Sequence, residues 1–206
     1  MRIGVFGGTF DPPHHGHLIL AAECYDQLAL DRLLFVLTPS PPHKRGKSVT
    51  PTESRLELLL AAIRRDPIFE LSRVEIDRPP PHFAVDTVNL LSREFPGAEM
   101  IYLMGGDSLV DLPEWYAPGR FLAALDEIGV MCRPGEAVDL SALDAVLPGI
   151  AKKVRFVQAP LLEISSSEIR SRAATGRHFR HYLPDPVYEI ILEKGLYREK
   201  VKSAQE

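Results

Sequence analysis

Cysteine is scarce in this chain. Cys24 and Cys132 are the only two in 206 residues, and they lie far apart with neither C-x-x-C spacing nor a histidine beside them. That sets aside a disulfide framework and a zinc knuckle, and both read as buried small hydrophobes. Long apolar runs are missing as well. None approaches the roughly 20 residues that cross a bilayer, and the start MRIGVFGG reads as a strand and a turn, not as a charged leader with an apolar block. No membrane partner and a cytoplasmic location are therefore expected. Basic charge is not in excess: the formal net charge is −4. A surface that neutralises many phosphates needs a clustered basic face, so no nucleic-acid partner is expected, although a local phosphate pocket remains open. The one basic cluster, His43, Lys44, Arg45 and Lys47, follows a proline-rich stretch and reads by itself as a solvated loop. Also lacking are a Walker lysine motif and G-x-G-x-x-G, which argues against P-loop hydrolysis and dinucleotide reduction.

What is present is a 45% hydrophobic chain, enough for one substantial core and too short to require two. Short apolar runs at Arg2–Phe6, Leu33–Leu37, Glu99–Met104, Glu127–Cys132 and Lys153–Val157 suit strands covered on both faces. Gly16–Leu30, Thr52–Arg64, Val85–Phe95 and Leu140–Leu147 carry apolar residues at helical spacing. The alternation predicts an α/β fold, a doubly wound and mostly parallel sheet with helices on both faces and right-handed crossovers. Glu70–Ile76 adds a short strand or an extended link. Residues 1–206 are expected to form one domain, with a small helical part at about 165–198 and a polar tail.

The strongest chemical signal follows the first strand: Gly7-Gly8-Thr9-Phe10-Asp11-Pro12-Pro13-His14-His15-Gly16-His17. Two glycines allow a sharp turn and a close approach of backbone to ligand. Asp11 suits an N-cap and Pro12 the first helical position. A helix starting there puts His14 in its first turn and His17 on the same face, beside unpaired N–H groups and the positive end of the dipole, where an anion belongs. Histidines at i and i+3 with no third ligand make a poor metal site, so no metal-ligating residues are assigned. Imidazole N–H groups donating to phosphoryl oxygens explain more of the pattern.

Two further signals accompany it. Ile164-Ser165-Ser166-Ser167-Glu168-Ile169-Arg170 supplies an N-cap, hydroxyl donors and, one turn in, a guanidinium able to fork onto phosphate. Alone it is only a capping sequence. Met104-Gly105-Gly106-Asp107-Ser108-Leu109 is another strand end running into glycine and an acid. In a doubly wound sheet it opens into the same crevice as the first turn, where Asp107 either accepts from ribose hydroxyls or caps a helix. Arg133 reaches the same sheet edge.

His14-His15-Gly16-His17 resembles the H-x-G-H element of a nucleotidyltransferase superfamily, which implies a Rossmann-like fold and direct in-line transfer without a covalent enzyme intermediate. Ile164–Arg170 is similar to that group's I-S-S-T-x-I-R element, with Ser167 in place of threonine. Taken with Pro42-His43-Lys44, Gly106–Leu109, Trp115, Arg133-Pro134-Gly135, Leu183-Pro184 and Gly195-Leu196-Tyr197-Arg198, nearly the whole chain resembles the bacterial nicotinate-nucleotide adenylyltransferases. The resemblance implies AMP transfer from ATP to nicotinate mononucleotide in NAD biosynthesis, with Mg²⁺. It implies ATP contacts from Gly7, Gly8, Thr9, Phe10, His14, His17, Gly105, Asp107, Arg133, Ser165, Ser166 and Arg170, and catalysis by His14, His17, Lys44 and Arg170. The acceptor nucleotide would meet Thr9, Lys44, Phe83, Ala84, Thr87 and Trp115, whose indole can stack on a pyridine ring. One departure stands out: His82-Phe83-Ala84 replaces the family's Ser-Tyr-Thr, so Ala84 gives no hydroxyl to the nicotinate carboxylate. A nicotinamide or phosphopantetheine acceptor, or a nucleotide-binding module without turnover, are the alternatives, and a homo-oligomer is left open.

Overall fold

The computed structural model describes residues 1–40, 49–131, 138–160 and 162–198. Its centre is a six-stranded sheet of β1 (Arg2–Gly8), β2 (Arg32–Leu37), β3 (Phe69–Ser72), β4 (Glu99–Gly105), β5 (Glu127–Met131) and β6 (Val154–Val157). The spatial order is β3-β2-β1-β4-β5-β6, and every pairing is parallel. This is the doubly wound arrangement, in which the chain reverses direction across the sheet between β1 and β4 and opens a crevice beyond their carboxyl ends.

The interior of β1 shows why these runs become central strands. Ile3, Gly4, Val5 and Phe6 are all buried, because helices cover both faces and no position can be left for water. One face packs on α3 (Ala84–Glu94), α5 (Pro118–Ala123) and α6 (Leu140–Val146) through Val88, Leu91, Phe121, Leu122 and Leu143. The other packs on α1 (His15–Gln27) and α2 (Thr52–Ile63) through Ala21, Cys24, Leu59 and Ile63. Cys24 is fully buried and unpaired, its thiol pushed up to about 12 chiefly by burial, as a small hydrophobe requires. Cys132 lies outside the described residues.

A third cluster joins Leu58 and Ala61 of α2 to α8 (Ser166–Ala174) and α9 (Asp185–Glu193) through Ile169, Ala173, Val187 and Ile191. The C-terminal helices thus pack on the helix that precedes β3. The expected short strand at Glu70–Ile76 is β3, an edge strand ending at Ser72. Three helices were not anticipated: α4 (Gly106–Val110), α5 and α7 (Ile150–Lys153). Each is too short to show a helical period. The last takes the first residue of the expected strand Lys153–Val157, and Lys153 donates to the carbonyl of Leu122 at 2.9 Å. No described helix is long and apolar enough to cross a membrane.

Candidate active site

The turn after β1 differs from the expected helix start. The segment Asp11–Pro13 is not helical; α1 begins at His15, with His14 as its extended N-cap residue at φ −144° and ψ 170°. The physical reason lies in Asp11, which is nearly fully buried and bonded elsewhere. Its carboxylate accepts from the Tyr197 hydroxyl at 2.8 Å and from the Thr50 N–H at 3.2 Å, so it cannot cap α1. The histidines still come together, and more closely than helical spacing alone requires. Their rings stack with centroids 3.7 Å apart, and the His14 N–H donates to His17 Nδ1 at 3.2 Å. With Nδ1 an acceptor, the neutral His17 ring carries its proton on Nε2.

His14 is buried, which lowers its pKa to about 4, with a smaller contribution from His15. The ring is therefore neutral at pH 7, and its Nδ1 has no partner among the described residues. Gly16 is explained by the same ring: a Cβ there would lie 3.0 Å from His14 Cε1 and Nδ1. The glycine of H-x-G-H leaves room for the first histidine to fold back over its own helix.

The glycines at the end of β1 serve neighbouring aromatics. A Cβ on Gly7 would sit 2.7 Å from the Tyr102 hydroxyl, and one on Gly8 2.7 Å from the Phe10 ring. Phe10, at φ 45°, turns its ring into the core against Phe6, Phe35 and His17, so only its backbone is placed for a ligand. Thr9 remains half-buried at the mouth of the crevice.

The second segment meets the first directly. Arg170 donates to the Asp11 carbonyl at 2.6 Å, and the Ser166 hydroxyl donates to the Pro12 carbonyl at 2.8 Å. Ser165 caps α8 by accepting the Glu168 N–H at 3.1 Å. A stretch some 150 residues downstream is therefore held against the histidine turn by hydrogen bonds, with the N-terminal end of α8 beside it. Gly105 ends β4 in register with Met131 and serves as the N-cap of α4; Asp107 is exposed in that helix's first turn and is not its cap. Lys44 and Arg133 lie outside the described residues.

On the acceptor side, Phe83 stacks on Tyr116 with centroids 4.1 Å apart. Trp115 is half-buried and edge-on to Tyr102. Ala84 is the first residue of α3, at the end where a helix's leading N–H groups have no partner one turn back. Thr87 is buried, its hydroxyl donating to Glu75 Oε1 at 2.6 Å and accepting from Arg78 at 3.1 Å. That hydroxyl supports the pocket wall from behind.

The cytidylyltransferase-like family matches residues 5–172. A probable nicotinate-nucleotide adenylyltransferase of Thermomicrobium roseum is 47% identical over 96% of this chain and 92% of its own. The Bacillus subtilis nicotinate-nucleotide adenylyltransferase is 37% identical over 95% and 98%. The chain belongs to the nicotinate-nucleotide adenylyltransferase family. It is a nucleotidyltransferase, and the family's reaction joins AMP from ATP to nicotinate mononucleotide in NAD biosynthesis. The fold agrees with a solved Plasmodium falciparum nicotinic acid mononucleotide adenylyltransferase complexed with NaAD, at a TM-score of 0.79, 19% identity and coverage of 95% and 97%.

For an adenylyltransferase of this family, sequence reading assigned no role to three supporting residues, although Tyr197 stands in the Gly195–Arg198 segment that carries part of the resemblance. Tyr197 secures Asp11, and Glu75 secures Thr87 with its carboxyl pKa raised by burial. Arg55 is buried in α2. One signal was available for it: Arg55 stands three and four residues before Leu58 and Leu59, on the apolar stripe of its helix, where a charge needs a reason.

Proposed function

We propose that the crevice beyond β1 and β4 performs the family's adenylyl transfer, with the histidine turn and the start of α8 sharing one triphosphate. The observation that carries this reading is the pair of bonds from Ser166 and Arg170 to Pro12 and Asp11, which joins two phosphate-type elements into one surface.

The acceptor's 5′-phosphate oxygen attacks the α-phosphorus of ATP in line; the bond to the bridging oxygen breaks and pyrophosphate leaves. An anionic phosphate needs no strong general base, so positioning and charge stabilisation carry the rate. His17, protonated on Nε2, donates to a phosphoryl oxygen. His14 enters neutral and gains basicity when an anion meets it. Arg170 and the α8 N–H groups hold the phosphates at the other end, and Lys44 completes the acceptor and triphosphate contacts. Asp107 takes the ribose and Arg133 the adenosine side. Trp115 and Phe83 offer faces to the pyridine, and the N–H groups at the start of α3 take the carboxylate in place of the hydroxyl that Ala84 lacks.

Among the described residues no three metal-ligating side chains cluster, and both oxygens of Asp11 are engaged. Mg²⁺ would enter with the triphosphate and would supply charge neutralisation there, with no side chain assigned to it.

The test is pyrophosphate release with ATP, Mg²⁺ and a panel of acceptors: nicotinate mononucleotide, nicotinamide mononucleotide and phosphopantetheine. Nicotinate mononucleotide is expected to support turnover best. Tight ATP binding with no pyrophosphate from any acceptor would return the chain to a binding module.

A further inference from the structure

Arg55 is 1% exposed, and all of its N–H groups are occupied. Nε donates to the Thr50 carbonyl at 2.8 Å, Nη1 to the carbonyls of Thr9 and Thr38 at 2.9 Å each, and Nη2 to the Pro39 carbonyl at 2.7 Å and the Thr52 hydroxyl at 3.3 Å. None of these acceptors is a carboxylate. Burial lowers the guanidinium pKa, and the charge of Asp11 works against that loss. A buried cation is costly, and an apolar side chain of similar volume is often as stable or more so. Filling space on α2 is therefore a poor reason for an arginine. What only a planar fork of five donors can do is hold several carbonyls in one fixed arrangement.

Those acceptors belong to three separate stretches. Thr9 starts the turn that leads to His14. Thr38 and Pro39 continue the chain beyond β2, and Thr38 also donates its N–H to Gly8 at 2.9 Å. Thr50 and Thr52 stand at the start of α2, where the Thr50 N–H also bonds Asp11. Parallel strands leave such loop carbonyls without ladder partners, and one side chain supplies a donor to each.

We propose that Arg55 is a positioning residue for the adenylyl transfer: it touches no substrate but fixes the histidine turn against the chain leaving β2 and the start of α2. The proposal rests on the reading of the crevice given above. With every donor engaged in the protein, Arg55 acts through Thr9 and Asp11 on the groups that face phosphate. Misplacing such groups by about an ångström costs on the order of a hundredfold in rate.

Two full-length variants test it, Arg55→Met and Arg55→Lys, compared with the unaltered protein by thermal unfolding, amide exchange and pyrophosphate release normalised to folded protein. For Arg55→Met, exchange is expected to rise at the non-proline residues of 9–14, 38–40 and 49–52 while β1, β4 and β5 stay protected. The value of kcat/KM for ATP is expected to fall by about tenfold to a hundredfold, with kcat reduced on the folded fraction. Arg55→Lys, whose ammonium reaches only some of the carbonyls, is expected to recover part of the loss, and it carries the test if the methionine variant does not fold. Unchanged kcat and KM per folded molecule, or an exchange increase spread evenly over the sheet, overturns the proposal. If the unaltered protein releases no pyrophosphate with any acceptor, the functional reading fails, while the exchange pattern still decides what Arg55 holds.

Discussion

His14, Gly16 and His17 act as one unit, because each sets the place of another. His17 lends Nδ1 to the His14 N–H, and Gly16 vacates the space His14 fills. Removing a transition-state donor commonly costs on the order of a hundredfold or more in turnover. His17→Ala is expected to fold normally and lose most of its kcat in the pyrophosphate assay; an unchanged kcat would take this histidine out of the mechanism. Gly16→Ala forces a methyl to 3.0 Å from the His14 ring and is expected to lower kcat with little change in unfolding temperature. The burial of His14 also has a pH signature. Its pKa is about 4 folded against 6.5 unfolded, so between those values the unfolded chain binds the extra proton. Stability therefore falls as pH drops from 6.5 towards 4, by on the order of 3 kcal/mol at most from this group. His14→Gln is expected to flatten that part of the stability profile measured by urea unfolding. A profile equally steep with and without the imidazole contradicts the assignment.

At the scale of elements, α2, α8 and α9 support the phosphate site from behind. Ile191 of α9 is buried in the cluster shared with α2 and α8. Ile191→Ala is expected to cost about 2 to 5 kcal/mol in urea unfolding; a negligible loss would mean that α9 does not brace α2. Ser165→Ala removes the cap of α8 and is expected to cost about 1 kcal/mol, together with a higher KM for ATP. Elements with a long period were legible in the sequence: α1, α2, α3 and α6 lie within a few residues of their expected bounds. The start of α1 was not, because Asp11 and Pro12 fit a cap and a first turn locally, whereas the Tyr197 and Thr50 bonds to Asp11 come from distant parts of the chain. Helices of four to six residues, α4, α5 and α7, are fixed by tertiary contacts and leave no pattern to read.

Across the whole molecule, the strand order that places β1 beside β4 is what turns local motifs into a site. The glycine turns were visible as motifs, and so was the serine-rich cap. Their meeting depended on a fold that returns residues 165–170 to residues 11–12. The residues to which sequence reading gave no supporting role, Arg55, Glu75 and Tyr197, are those whose partners are backbone carbonyls or distant side chains. No spacing rule encodes such contacts. The most direct measurement is a crystal structure of the protein with a non-hydrolysable ATP analogue. The triphosphate is expected within hydrogen-bond reach, roughly 3 Å, of the His14 and His17 rings at one end and of the α8 N–H groups and Arg170 at the other. A triphosphate touching only one of these two segments, or lying away from both, contradicts the account.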